Sequence, residues 1–157
     1  MEICRNSDPV SQVTDFINGI NPSYYDALLI KFEPNNTPGC WGVYTPAEHC
    51  AFLTQAANTV TQLAGPGTTP GIFTTDNIWN EFVGSSCDIF SVAPIIWYAT
   101  YGSNGQVDST QSFDDFVPFG GYTVPQIKQI AGNKTVTLCN NPLWHAYIDE
   151  LWTNIVT

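Results

Sequence analysis

Basic residues are almost missing. Arg5, Lys31, Lys128 and Lys134 are the four in 157 positions, against 14 acids, and the formal net charge is −10. A phosphate backbone is neutralised by clustered Lys and Arg, so the sequence speaks against a nucleic-acid partner. An anionic membrane surface is disfavoured on the same ground. Charge of either sign is scarce, at 11% of residues, against roughly 25% in ordinary soluble proteins. Ser, Thr, Asn, Gln and Gly fill the polar positions instead, a composition common in secreted proteins. No apolar run approaches the ~20 residues of a membrane span. There are only two histidines, His49 and His145, and no Cys-x-x-Cys pair. That argues against a zinc site, and the reading is no metal and no cofactor.

What is present fits one globular domain over residues 1–157, with 43% hydrophobic residues. Five cysteines occur: Cys4, Cys40, Cys50, Cys87 and Cys139. The odd count leaves at least one free or paired outside the chain. Cys40 and Cys50 bracket a loop rich in Pro and Gly and are predicted to bond to each other. The pairing of Cys4, Cys87 and Cys139 stays open. Asn35-Asn36-Thr37 and Asn133-Lys134-Thr135 are glycosylation sequons. Asn35, in a loop past a strand end, is the expected better acceptor. Together these features predict a secreted protein. Met1–Arg5 is not a signal peptide, so the expectation is a processed or partly represented chain.

Apolar spacing and caps predict the elements. Asp8-Pro9 opens a helix carrying Val10, Val13, Ile17 and Ile20. The run 27–33 is apolar on both faces until Lys31 and Glu33, as in a buried parallel strand. Thr45-Pro46-Ala47-Glu48 is a capping box for a helix reaching Leu63. Residues 71–75 form a strand, Asp76 caps a short helix to Phe82, and residues 94–99 form another strand. The stretch 102–115 is predicted as loop, with Asp114 and Asp115 solvated. Residues 122–131 and 135–138 read as strands, and Pro142–Trp152 as a final helix with His145 and Asp149 as a surface pair. The alternation of strand and helix predicts a parallel α/β fold, whose working residues sit at strand C-termini. That singles out Glu33, Thr75–Asp76, Trp97, Tyr98 and Tyr101.

These strand ends resemble a known family. The segment Ala27–Glu33 with Pro38-Gly39-Cys40-Trp41-Gly42, then Gly71–Trp79, then Ile95–Tyr101, then Phe119-Gly120-Gly121-Tyr122-Thr123-Val124-Pro125-Gln126-Ile127-Lys128-Gln129 are similar in order and spacing to the lysozyme-like glycoside hydrolases of family 25, of protist and nematode type. The resemblance implies a modified, TIM-like β/α barrel with parallel strands that cleaves the glycan of peptidoglycan. It implies acids at strand ends, with an Asp-x-Glu pair whose Glu donates the proton. At that pair this chain reads Lys31-Phe32-Glu33, and near the last strand Cys139-Asn140-Asn141-Pro142 holds no carboxylate. Met1–Cys4 would fall on the family's third strand, so the first strands of the barrel are expected to be absent.

Glycoside cleavage ordinarily needs two carboxylates. Residues 31 and 33 share one side of a strand, and a lysine there favours an ionised Glu33, the wrong state for an acid. Two readings follow. One is a non-catalytic lysozyme-like domain that binds a glycan, or serves in assembly, with Trp97, Tyr98 and Tyr101 as stacking platforms. The other is an active muramidase using Glu33 as proton donor, its missing acids supplied from outside the chain. Alternate members of 97–101 read equally as core. An incomplete barrel exposes sheet edges, which an upstream segment or a neighbouring copy would cover.

Overall fold

The computed structural model describes residues 1–34 and 37–130, together with the backbone of 134–138 and 141–145. In chain order these contain α1 (Pro9–Gly19), β1 (Ala27–Lys31), α2 (Pro46–Ala64), β2 (Thr69–Thr74), α3 (Asp76–Ile78) running into a wide turn at Trp79–Val83, β3 (Ile95–Ala99), β4 (Ile127–Gln129), β5 (Lys134–Leu138) and β6 (Asn141–His145). The first four strands form one parallel sheet in the order β1-β2-β3-β4. The α/β class is thus observed, with four parallel strands. Upstream of α1, Glu2 forms a parallel bridge to Lys31, Met1 N donates to Leu29 O, and Lys31 N donates to Met1 O.

The helices begin where their caps require. Asp8 accepts from Ser11 N at 2.7 Å to start α1, and Thr45 with Glu48 closes the full capping box of α2. α2 ends at Gly65, whose φ is 84°. Alternation along the strands then decides the core. Leu28, Ile30, Phe32, Ile72 and Ile96 lie on the side of α1 and α2, where Val13, Leu53, Ala56 and Val60 have no exposed surface, and Tyr98 shares that side. Each fully buried aliphatic chain of this kind contributes about 1.5–3 kcal/mol.

Three expectations about elements change. The cap of α3 is Thr75, which accepts from Ile78 N at 3.2 Å, and Asp76 is its first helical residue. The hydroxyl of the extended residue lies one position nearer the strand and reaches the orphan amide first. The strand expected over 122–131 shrinks to Ile127–Gln129, because Phe119 and Tyr122 pair across a tight turn. Gly120 and Gly121 there have φ of 60° and 87°. A Cβ on Gly120 would meet the Trp79 ring at 2.8 Å, so the Phe-Gly-Gly-Tyr sequence serves a backbone turned against an indole. Residues 142–145 belong to β6, antiparallel to β5, rather than to a helix. The β-branched run Thr135-Val136-Thr137 favours a strand, and two residues between Leu138 and Asn141 are enough for a hairpin. The remainder of the expected helix, 146–152, lies outside the described residues. So do Asn35, Asn133 and Cys139.

The expected Cys40–Cys50 bond is also replaced. Cys40 is bonded to Cys4 and Cys50 to Cys87, with Cα separations of 4.8 and 5.7 Å. The short loop between residues 40 and 50 is a poor guide, since Cys50 lies on α2 beside the turn after β2, and Cys40 returns to the segment preceding α1. Non-reducing peptide mapping is expected to recover the 4–40 and 50–87 linked peptides and no 40–50 peptide. Removing the second bond as Cys50→Ala/Cys87→Ala is expected to cost about 4 kcal/mol in urea unfolding, the chain-entropy value for a separation of 37 residues.

His49 seals the top of this layer. It is 2% exposed, with ring centroids of Phe32, Tyr44 and Phe82 at 5.5, 5.7 and 6.1 Å. Its Nδ1 has no hydrogen-bond partner. Arg5 lies close by, 3.8 Å over the Tyr44 ring. Burial first, then the Arg5 charge, hold the imidazole below its ordinary range, with Glu48 pulling weakly the other way. The unfolded chain therefore takes up this proton before the folded one. Stability is full above about pH 6.5 and falls as pH drops below it. The urea midpoint is expected to fall between pH 7 and 5.5 in the natural chain and to stay flatter in His49→Leu. Parallel pH profiles would overturn this.

Candidate functional site

The side of the sheet away from the helices carries the candidate site. Parallel pairing sets Lys31 beside Phe73, Phe73 beside Trp97 and Trp97 beside Ile127. In-register residues point to one face, so these four form a row across the sheet. Phe73 and Trp97 meet edge to face at 4.8 Å between centroids. The Lys31 ammonium lies 6.0 Å from the Phe73 centroid. Trp97 is part-exposed, and its Nε1 is buried without a hydrogen-bond partner.

Glu33 stands two residues beyond Lys31 on the same side. Lys31 Nζ is 3.0 Å from Glu33 Oε2 and 3.9 Å from Glu2 Oε2. The pair is partly open, with side chains 38% and 26% exposed for Lys31 and Glu33. Burial works against the Lys31 charge, but the hydrogen bond and charge of Glu33, aided by Glu2, outweigh it and raise the lysine above its usual range. Tyr101 lies on the same face by alternation, and its phenol is pushed up, first by burial and then by the Glu33 charge. Glu33 thus faces a cation and is engaged as its ion partner. A proton donor to a leaving oxygen needs the opposite arrangement.

The structure brings Glu33, Lys31, Trp97 and Tyr101 to one face and removes Tyr98 from it. Tyr98 points to the helix side, is 3% exposed, and packs against Phe116 at 5.0 Å. Its hydroxyl donates to Asp115 Oδ1 at 2.8 Å. Adjacent strand residues cannot share a face, which rules out a platform containing both Trp97 and Tyr98. Asp115 is corrected with it: this carboxylate, expected to be solvated, pairs with Lys128 at 2.9 Å. Phe73 and Glu2 were missed. A register between strands would have revealed Phe73, since it sits level with both Lys31 and Trp97. Lys128 carried a readable signal, as a lone cation between Ile127 and Ile130. Among the described residues no group of His, Cys, Asp and Glu could hold a metal ion. A groove of about 690 Å³ runs along α2, lined by Ala47, Asn58 and Cys87, on the opposite side from Glu33.

With this geometry in view, the chain can be compared with known proteins. Counting factor 45-1 of Dictyostelium discoideum is 28% identical over 130 residues, 82% of this chain and 39% of that protein. Lysozyme-like protein 7 of Caenorhabditis elegans is 33% identical over 143 residues, 87% of this chain and 48% of that protein. A probable GH family 25 lysozyme 5 of D. discoideum is 44% identical over 63 residues, 40% of this chain and 26% of its own length. The chain spans less than half the length of each of these relatives. No solved structure gives a significant match. The family described as Lysozyme-like protein 1 matches residues 2–148, which is nearly the whole chain. The chain belongs to this lysozyme-like family.

Proposed function

We propose that this chain is a secreted lysozyme-like domain that binds a glycan on the Phe73–Trp97 face without cleaving it. The observation that carries the reading is the 3.0 Å pair between Lys31 and Glu33. Lys31 stands where the family resemblance places an acid, and it holds the one remaining carboxylate as its ion partner. A part-exposed indole beside Phe73 offers a sugar an apolar face to stack on. Trp97 and Tyr101 are the contact residues in this reading. Two disulfides support an oxidising compartment, and among the described residues no helix is long and apolar enough to cross a membrane. Asn35 and Asn133 are the proposed glycan acceptors.

In the same reading the four parallel strands are part of a β/α barrel, with residues 1–157 a single domain whose first strands lie outside this chain. The parallel bridge from Glu2 to Lys31 fits the residues around Glu2 as the barrel strand preceding β1. An upstream segment or a neighbouring copy would complete it, the latter giving the domain a role in assembly. The second reading, an active muramidase with Glu33 as proton donor, draws on the 44% identity to the probable lysozyme.

Both readings are tested on bacterial walls. The pure chain is expected to sediment with insoluble peptidoglycan and to leave wall turbidity unchanged. Trp97→Ala is expected to weaken that binding about tenfold, the loss of one well-placed aromatic contact. Clearing of the walls that disappears in Glu33→Gln would establish the muramidase instead.

A further inference from the structure

Lys128 has no exposed surface, although it carries one of the four positive charges of the chain. An ammonium in such a position persists only when fully paired. Its Nζ lies 2.9 Å from Asp115 Oδ2 and 3.7 Å from Asp108 Oδ2, and it donates to Thr110 O at 2.9 Å. All three partners belong to the connection between β3 and β4. A parallel crossover ordinarily covers the outer sheet face with a helix. Here the covering stretch is a loop, and Lys128 holds it at 108–110 and again at 115. Asp115 continues the network, accepting from the Tyr98 hydroxyl at 2.8 Å. Burial opposes its charge, but these donors outweigh it and keep the carboxyl below its usual range.

The same loop prolongs β3 past the sheet. Asp108 N donates to Thr100 O and Gly102 N to Gln106 O, each at 2.8 Å, and Tyr101 bridges Val107 antiparallel. The turn closes through Gly105 N to Gly102 O, with Gly105 at φ 72°. Residues 100–108 are therefore a short hairpin. Thr100 points to the Lys128 side and Tyr101 to the Glu33 side, as alternation requires. A two-stranded ribbon of this length is marginal without support. The network around Lys128 supplies that support within one residue of the phenol.

We infer that Lys128 is a positioning residue for the Tyr101–Glu33 pair, acting from the opposite face of the sheet by clamping the 108–115 segment that holds the 100–108 hairpin. This deepens the glycan reading, because that pair sits at the end of the aromatic row, and it rests on that reading only for its functional meaning. Loss of the clamp frees the hairpin and withdraws the phenol from Glu33, while the sheet and its helices remain.

The test is a pH titration of the full chain labelled with ring-carbon-13 tyrosine, read by NMR, with Tyr101→Phe assigning the signal. In the natural chain Tyr101 is expected to titrate above the ordinary value of about 10. In Lys128→Met it is expected to move down toward that value. Tyr122, which is 1% exposed and donates to Ala93 O, should keep its chemical shift and so report an intact core. Asp108→Ala, at a partly exposed carboxylate, is expected to move Tyr101 in the same direction. An unmoved Tyr101 in folded Lys128→Met overturns the inference; should that variant not fold, an unmoved Tyr101 in Asp108→Ala overturns it. No glycan enters this measurement, so failure of the glycan reading leaves its outcome untouched.

Discussion

The in-register parallel pairing of β1, β2 and β3 is the constraint on which the rest of this molecule depends. It sets Lys31, Phe73 and Trp97 level with one another, and Ile30, Ile72 and Ile96 level on the reverse side. A slip of one residue in any strand would exchange the two faces. Lys31 would then enter the helix-packed core, and Phe32 would leave it. The closeness of Gly71 to its neighbours ties down this register. A Cβ there would come within 2.8 Å of Ile95 and closer still to Leu29, so β2 is accommodated between strands that leave no room for a side chain.

Scarcity of positive charge gives each of the three cations with described side chains, Arg5, Lys31 and Lys128, a distinct structural task. Arg5 covers the rings of Tyr44 and Phe52 and donates to Glu48 O, joining the N-terminal segment to the start of α2. Lys31 gathers Glu2 and Glu33 at the end of β1. Lys128 gathers Asp108 and Asp115 beneath the hairpin that follows β3. In each case a loop at the C-terminal end of the sheet is held by one cation, and that is the end where a parallel fold places its binding residues. A partly exposed pair such as Lys31–Glu33 is worth little as stability. Its importance lies in giving Glu33 a cation as its partner.

Much of the fold was legible in local chemistry. The Asp8 and Thr45 caps, the Gly65 stop and the apolar runs at 27–31 and 95–99 each depend on residues within one or two turns of one another. The final segment was misread because Leu143, Trp144, Tyr147 and Ile148 fit a helical stripe, while the pairing of 141–145 with 134–138 depends on a partner strand. The cysteines were misread for a related reason. Proximity along the chain favoured 40 with 50, but bonding follows proximity in space, and both partners lie more than thirty residues away.

The candidate site divides in the same way. Sequence by itself determined that acids outnumber bases, that Lys31 and Glu33 share a strand face, and that Trp97 and Tyr98 face opposite ways, because alternation along a strand needs no tertiary information. It also carried the family resemblance, in segments whose order survives without their contacts. Only the tertiary structure decided which face packs against the helices, and so that Tyr98 is core while Trp97 stays part-exposed. It alone brought Phe73 beside Trp97 and Glu2 beside Lys31. Those contacts join residues far apart in the chain, and their register follows from how whole strands pack rather than from any local pattern of side chains.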